Sequence, residues 1–154
     1  MTQEDKVVFL KNPNQVVEHL VKNFVNESVQ NRRTQLDFGR YFEDPLVGFA
    51  AGNDHLFFDY KTVIGPFHLT PREIISSALK EKESGLLLYE ADQISVISWA
   101  LPISEDVRKS NRKENAFPSK LWTYTREYGE ACNHALRKHV VSFLRDLETF
   151  RLLI

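Results

Sequence analysis

The side chain best placed for chemistry in this sequence is His68, within the stretch VIGPFHLTPREII of residues 63–75. Its Gly-Pro turn holds a side chain at a fixed place and leads into TPRE at residues 70–73, which has the pattern of a helix start. Thr70 would be the N-cap, and Glu73 would be the return partner of a capping box. For His68 we favour hydrogen bonding to nearby backbone over catalysis.

The other histidines and the single cysteine do not form a pattern of metal ligands or nucleophiles. His134 and His139 are five residues apart, so they lie on different helix faces, unlike the i,i+4 pair of a zinc-binding helix. Cys132 falls on an apolar stripe, where a free cysteine behaves as a small hydrophobic side chain. His55 and Asp59 share a helical face without the surrounding groups that catalysis needs. We therefore predict no metal site and assign no catalytic residue.

The segment SEDVRKSNRKENAFPS at residues 104–119 contains four basic side chains. They are Arg108, Lys109, Arg112 and Lys113, and acidic residues are interleaved with them. We expect a solvated loop here, with phosphate binding as the alternative.

The composition is that of an ordinary globular protein. Of the 154 residues, 42% are hydrophobic and 27% are charged, and the formal net charge is -1. This charge gives no argument for nucleic acid or an anionic membrane as a partner. The start MTQEDKVVF has no signal-peptide features, and no stretch reaches the roughly 20 apolar residues of a membrane span. We expect a cytoplasmic protein with a single domain over residues 1–154.

Apolar periodicity predicts the main elements and an α+β fold. Helices are expected at residues 14–30, at 71–82 and, as the longest element, from Ser119 to Leu147. The stretch ISVISWALPI at 94–103 is apolar on both alternating faces, which predicts a central strand near 94–101 that helices cover. A weaker strand is expected at 85–90.

Two segments lack a sustained period. Residues 31–37 are polar and predict an exposed connection. Residues 41–69 are aromatic-rich and punctuated by glycine and proline, which predicts irregular backbone with one short helix around residues 55–61. The long helix is expected to carry one apolar stripe: Leu121, Thr125, Tyr128, Cys132, Leu136, Val140, Phe143 and Leu147.

Four strings of the sequence together resemble a known family. They are DPLVGFAAGNDHLFFDYKTVIGPFHLTPREII, ISVISWALPI, SNR and TREYGEACNHALRKHVVSFL, between residues 41 and 144. They are similar to the amino-terminal region of the epoxyqueuosine-reductase-like iron-sulfur proteins, which are related to the reductive dehalogenases. The resemblance implies a family of oxidoreductases with [4Fe-4S] clusters and cobalamin. Six positions that match the family pattern are our candidates for ligand binding: His68, Arg72, Asn111, Arg112, Arg126 and Tyr128. Three more positions, Thr70, Glu73 and Ser110, match the pattern without an assigned role.

The chain departs from that family in its cysteines. A [4Fe-4S] cluster needs four ligands, which the family supplies as closely spaced cysteines, and this chain has one cysteine. We therefore expect no cofactor in this chain and no activity from the isolated chain. One hypothesis is a cluster-free, shortened relative that acts as a binding or assembly module. The alternatives are half of a split reductase completed by a partner chain carrying clusters and cobalamin, and a stand-alone small-molecule-binding domain.

The end of the sequence also bears on partners. The long apolar stripe is followed by Phe150, Leu152, Leu153 and Ile154, which predicts a homodimer or a partner chain with the missing cluster domain. The competing expectation is that these terminal residues fold back onto their own core.

Overall fold

The chain has the predicted α+β fold, and the structure shows that it is mostly helical. The computed structural model describes residues 11–81 and 90–151. Within these ranges the helices and strands are α1 (Pro13–Glu27), β1 (Leu46–Ala51), α2 (Leu56–Val63), α3 (Pro71–Glu81), β2 (Ser95–Ala100), α4 (Glu105–Asn111) and α5 (Lys120–Arg151). Single 3-10 turns lie at Val29–Asn31 and Ala91–Gln93.

The chain divides into two compact units. The first combines residues 1–47 with 99–154 and contains α1, α4 and α5. The second holds residues 48–98 and contains α2, α3 and most of both strands.

The core of the first unit lies where α1 and α5 pack together. Each helix buries a row of residues spaced four apart: Val17, Val21 and Val25 from α1, and Cys132, Leu136 and Val140 from α5. Residues at this spacing lie on one helix face, and a fully buried valine or leucine contributes about 1.5–3 kcal/mol. The apolar stripes predicted for both helices are confirmed at these positions.

The stripe of α5 differs from the prediction at one position. Tyr128 was expected inside, but its side chain is 45% exposed and its ring lies 4.4 Å from that of Tyr124. The buried neighbour is Gly129. A Cβ at Gly129 would lie 2.9 Å from Cζ of Phe42, so the absence of a side chain lets this ring approach the helix.

The polar connection after α1 is exposed at Thr34, Gln35 and Asp37, as predicted, but the prediction is wrong for Asn31 and Arg33, which are both fully buried. Nδ2 of Asn31 donates to the carbonyl oxygens of Val25, at 2.8 Å, and Phe42, at 3.0 Å. Its Oδ1 accepts from the N–H of Phe42 at 2.9 Å. One amide side chain therefore ties the end of α1 to the chain that leads into β1.

Arg33 is the second buried polar side chain of this connection. Its Nε and Nη2 donate to the two carboxylate oxygens of Asp37 at 2.8 and 3.1 Å. Nη1 donates to the carbonyl of Arg40 and, at 3.2 Å, to Oγ of Ser104, while Nη2 also forms an ion pair with Asp106. Burial opposes its charge, but the two carboxylates more than offset this, and the pKa of Arg33 is raised.

The segment at residues 104–119 is helical in its first half, which corrects the prediction of a solvated loop. α4 follows Ser104, and Val107 in its first turn is fully buried. Arg108 pairs with Glu43 at 3.2 Å, so its charge is compensated within the first unit.

The described sheet has two antiparallel strands. β2 confirms the strand predicted near 94–101. It has one neighbouring strand among the described residues, and Val96 and Ile97 are half-buried. The predicted position at the centre of a sheet, covered on both faces, is therefore not found in the described residues. The predicted strand at 85–90 lies outside the described residues except for Glu90. β1 was not predicted, because glycines at 48 and 52 suggested irregular backbone. Gly48 instead lies opposite Ser98, whose Oγ donates to its carbonyl at 3.4 Å.

The capping box of α3 is confirmed in the second unit. The N–H of Thr70 donates to Oε2 of Glu73 at 2.7 Å, and the N–H of Glu73 reaches Oγ1 of Thr70 at 3.4 Å. Lys61 also donates to Glu73, at 2.7 Å. The hydrogen bonds from Lys61 and Thr70 lower the pKa of Glu73 to about 2.

Replacement of Arg33 tests the buried connection. Arg33→Ala is expected to lower the free energy of unfolding by about 2–3 kcal/mol, because it removes a fully buried side chain and leaves the carbonyl of Arg40 and the hydroxyl of Ser104 without this donor. Arg32→Ala is the matched control, because the side chain of Arg32 makes one hydrogen bond among the described residues, to the carbonyl of Asn26. It should lower the free energy of unfolding by at most about 1 kcal/mol. Urea unfolding measures both, and equal losses would contradict the role given to Arg33.

The same cluster predicts an acid dependence of stability. The hydrogen bond from Arg33 lowers the pKa of Asp37. Burial raises the pKa of Asp106, but hydrogen bonds from Ser104 and Arg33 outweigh it, and the pKa is lowered. Because the unfolded chain then binds protons more readily, the stabilisation is complete above the unfolded pKa of about 4 and is lost as pH falls below it through the lowered pKa values of the folded chain.

Urea unfolding across this pH range, in the wild type and Arg33→Ala, measures the contribution of the cluster. The variant should lose less stability on acidification, since its carboxylates have lost their partner. The pKa of Glu73 is also lowered. Both proteins contain Glu73, so its contribution to the pH dependence cancels in the comparison. Parallel curves for the two proteins would contradict the assignment.

Candidate functional site

A pocket of about 410 Å³ lies in the first unit. We call it the Trp99 pocket, and its lining residues are Phe42, Trp99, Leu101, Ile103, Thr125, Arg126, Gly129, Glu130 and Asn133. Residues 99, 101 and 103 alternate along extended backbone and so share a side, while the α5 residues recur at helical spacing on one face. The volume falls within the roughly 300–1,000 Å³ of small-molecule sites.

The apolar wall of the pocket is fixed by backbone pairing. Phe42 and Ile103 form an antiparallel bridge, and the amide of Glu43 donates to the carbonyl of Pro102 at 2.9 Å. Asn31 holds both the N–H and the carbonyl of Phe42. The Phe42 ring then packs on Gly129, where α5 has no side chain.

The polar edge of the pocket is a chain of hydrogen bonds. Nε1 of Trp99 donates to Oδ1 of Asn133 at 3.1 Å, and Nδ2 of Asn133 donates to both carboxylate oxygens of Glu130 at 3.3 Å. Glu130 also forms an ion pair with Arg137. The Trp99 indole is thereby oriented, and the charge of Glu130 is compensated.

Two polar groups of the pocket have no partner among the described residues. The hydroxyl of Thr125, a residue that is 2% exposed, makes no hydrogen bond there. Arg126, one residue further along α5, lines the pocket and makes no ion pair or side-chain hydrogen bond within the described chain. The oxygen of the Thr125 hydroxyl is closed off from solvent, so the exposed Arg126 is the donor that can reach an acceptor in the pocket.

Of the six residues proposed from the resemblance, two lie in the second unit. The His68 ring is half-buried and packs edge-to-face on Tyr60, with the centroids 5.3 Å apart. Arg72 forms an ion pair with Glu90 at 3.5 Å and borders an open recess of about 300 Å³. That recess is also lined by Glu73, whose carboxylate already binds Lys61 and Thr70.

The other four lie in the first unit, where only Arg126 lines the Trp99 pocket. Oδ1 of Asn111 accepts from the N–H of Ser119 at 2.9 Å, which fixes the residue before α5. Arg112 is exposed at the end of α4, and the Tyr128 ring packs on Tyr124. Asn111 and Tyr128 therefore have structural contacts, and Arg126 is the member placed to meet a ligand.

The environments of Cys132 and His55 agree with those expected from the sequence. Cys132 is buried on the stripe of α5, as predicted, and burial raises the pKa of its thiol to about 11, so the thiol stays protonated and unreactive at neutral pH. His55 is exposed, with Nε2 4.0 Å from a carboxylate oxygen of Asp59. Across residues 11–81 and 90–151, no three histidine, cysteine or acidic side chains are grouped to hold a metal ion.

No helix in the described part of the chain has the length and apolar character to cross a membrane.

Comparison with known proteins found no family model, curated protein or solved structure that matches this chain. The resemblance to epoxyqueuosine-reductase-like proteins, with its [4Fe-4S] clusters and cobalamin, therefore stays a prediction. The predicted homodimer also stays a prediction, since residues 152–154 lie outside the described residues and nothing is described of the Phe150 side chain.

Sequence reasoning missed most of the pocket. Thr125 appeared only as a member of an apolar stripe, and Trp99 only as a strand residue. The available signals were a hydroxyl among apolar stripe residues and an indole N–H that needs a partner when it is partly buried. Neither signal identifies the partner, because Asn133 is 34 positions from Trp99.

Replacement of Thr125 tests whether its buried hydroxyl has a hydrogen-bond partner in the folded chain. Thr125→Val keeps the shape and removes a buried hydroxyl without a partner, so it is expected to raise the free energy of unfolding by about 1 kcal/mol. Thr123→Val, at an exposed position of the same helix, should change it by less than about 0.5 kcal/mol. Urea unfolding measures both, and a clear destabilisation by Thr125→Val would show that the hydroxyl has a structural partner.

Proposed function

We propose that this chain is a small-molecule-binding domain and that the Trp99 pocket is its binding site. One observation carries the proposal: the 410 Å³ pocket combines an apolar wall, an indole oriented by Asn133 and the guanidinium of Arg126, which makes no ion pair within the described chain. A charged group beside an apolar wall suits a small molecule that brings both an apolar body and a polar group.

The pocket chemistry supports binding over catalysis. Catalysis by the lining side chains would require a nucleophile or a free base. Glu130 is the acidic residue of the pocket, and it is held by Arg137 and Asn133. Thr125 has no base within hydrogen-bond distance to activate it. An oriented indole, an apolar wall and a few polar groups are typical of a recognition site.

This proposal corresponds to the stand-alone binding domain among the hypotheses from the sequence. It is also compatible with a cluster-free relative of the epoxyqueuosine-reductase-like proteins that acts as a binding module. The cytoplasmic location and the homodimer or partner chain expected from the sequence remain parts of the proposal.

The indole N–H signals of the two tryptophans provide the test, because Trp99 lines the pocket and Trp122 does not. In ¹H–¹⁵N spectra, Trp122→Phe assigns the two signals. The wild type is then titrated with a set of small aromatic fragments: indole, 2-naphthol, 2-naphthamide, 2-naphthoate and 2-naphthylamine.

At least one fragment is expected to shift the Trp99 signal saturably and leave the Trp122 signal in place. A Trp99 signal that no fragment shifts would contradict the proposal. Equal shifts of both signals would also contradict it, since they would indicate nonspecific adsorption.

A further inference from the structure

The charges around the Trp99 pocket do not balance. Glu130 and Arg126 line it with opposite charges, four residues apart on α5, yet they form no ion pair. Glu130 instead pairs with Arg137 and accepts two hydrogen bonds from Asn133. Arg126 is exposed and makes no ion pair within the described chain, so its charge is available to an anion at the edge of the pocket.

The hydrogen-bonding groups that remain free also favour an anion. Asn133 uses its Oδ1 for Trp99 and its Nδ2 for Glu130, so its amide is engaged on both sides. The donor still available to a ligand is the guanidinium of Arg126, because the oxygen of the Thr125 hydroxyl is buried and does not face the pocket. An ionised carboxylate offers acceptors only and suits this guanidinium.

The rest of the lining sets the shape of the ligand. Phe42, Leu101 and Ile103 form an apolar wall, and the Trp99 ring is oriented by its bond to Asn133. Fixed aromatic rings accept flat apolar groups by stacking or edge contacts. A compact aromatic body fits this wall better than a flexible polar chain.

We propose that the Trp99 pocket binds an aromatic carboxylate, with its ring against Phe42 and Trp99 and its carboxylate accepting from Arg126. This inference rests on the proposed function and adds the chemical class of the ligand. A cationic ligand would meet the like charge of Arg126, and Glu130 is already paired with Arg137. A neutral ligand would leave the charge of Arg126 without a partner.

The test compares 2-naphthoate with 2-naphthamide, which have the same ring system and nearly the same size but differ in charge. Affinities are read from the Trp99 indole signal of the wild type. 2-Naphthoate is expected to bind about tenfold more tightly, since a charge-assisted hydrogen bond distinguishes the two probes.

Arg126→Gln should bring the two affinities close together, because it removes the charge and keeps a hydrogen-bond donor. Arg112→Gln is the matched control: it removes an exposed arginine of the first unit that does not line the pocket, and the preference for 2-naphthoate should persist. The ¹H–¹⁵N spectra of both variants establish that each is folded.

Three results would overturn the inference. If 2-naphthamide shifts the Trp99 signal as tightly as 2-naphthoate, the pocket binds small molecules but does not select carboxylates, and the proposed function survives. If Arg126→Gln keeps the preference, Arg126 is not the group that selects the anion. If neither probe shifts the Trp99 signal, the pocket does not bind 2-naphthoate and the inference fails.

Discussion

The burial of a charged arginine constrains the first unit more than any other interaction. The Arg33 side chain is fully buried, and a guanidinium removed from water needs partners for its charge and its N–H groups. Residues 33–40 and the start of α4 supply them through Asp37, the carbonyl of Arg40, Ser104 and Asp106. Residue 39 must also be glycine, because a Cβ there would collide with the guanidinium.

This constraint extends to the Trp99 pocket. Arg33 binds Arg40 and Ser104. Arg40 lies two residues before Phe42, and Ser104 directly follows Ile103. Phe42 and Ile103 are the bridged pair of the pocket wall. Asn31 fixes Phe42 from the other side. The apolar wall is thus fixed by buried polar groups that are satisfied, while α5 brings Arg126, which makes no ion pair within the described chain. A wall fixed before binding reduces the entropy lost when a ligand enters.

The sequence predicted what depends on local period or local capping, and it missed what depends on tertiary partners. The stripes of α1 and α5 and the capping box at Thr70 follow from residues three or four apart. The burial of Arg33 does not, because an arginine among polar residues is normally exposed, and its partners Ser104 and Asp106 are more than 70 positions away. β1 was missed because Gly48 weakens a strand pattern unless its neighbour in the sheet is known. The shift from Tyr128 to Gly129 arose because a glycine gives no apolar signal, although its lack of a side chain admits Phe42.

Native-state hydrogen exchange tests most directly whether the pocket wall belongs to the core. The N–H of Phe42 bonds to Asn31 and that of Ser104 bonds to the carbonyl of Tyr41, while the Leu136 amide lies in the buried part of α5. If Arg33 and Asn31 fix the wall, the amides of Phe42 and Ser104 exchange with the same opening free energy as Leu136, through global unfolding. Exchange of these two amides through a local opening of much lower free energy, with Leu136 still protected, would contradict a preformed pocket.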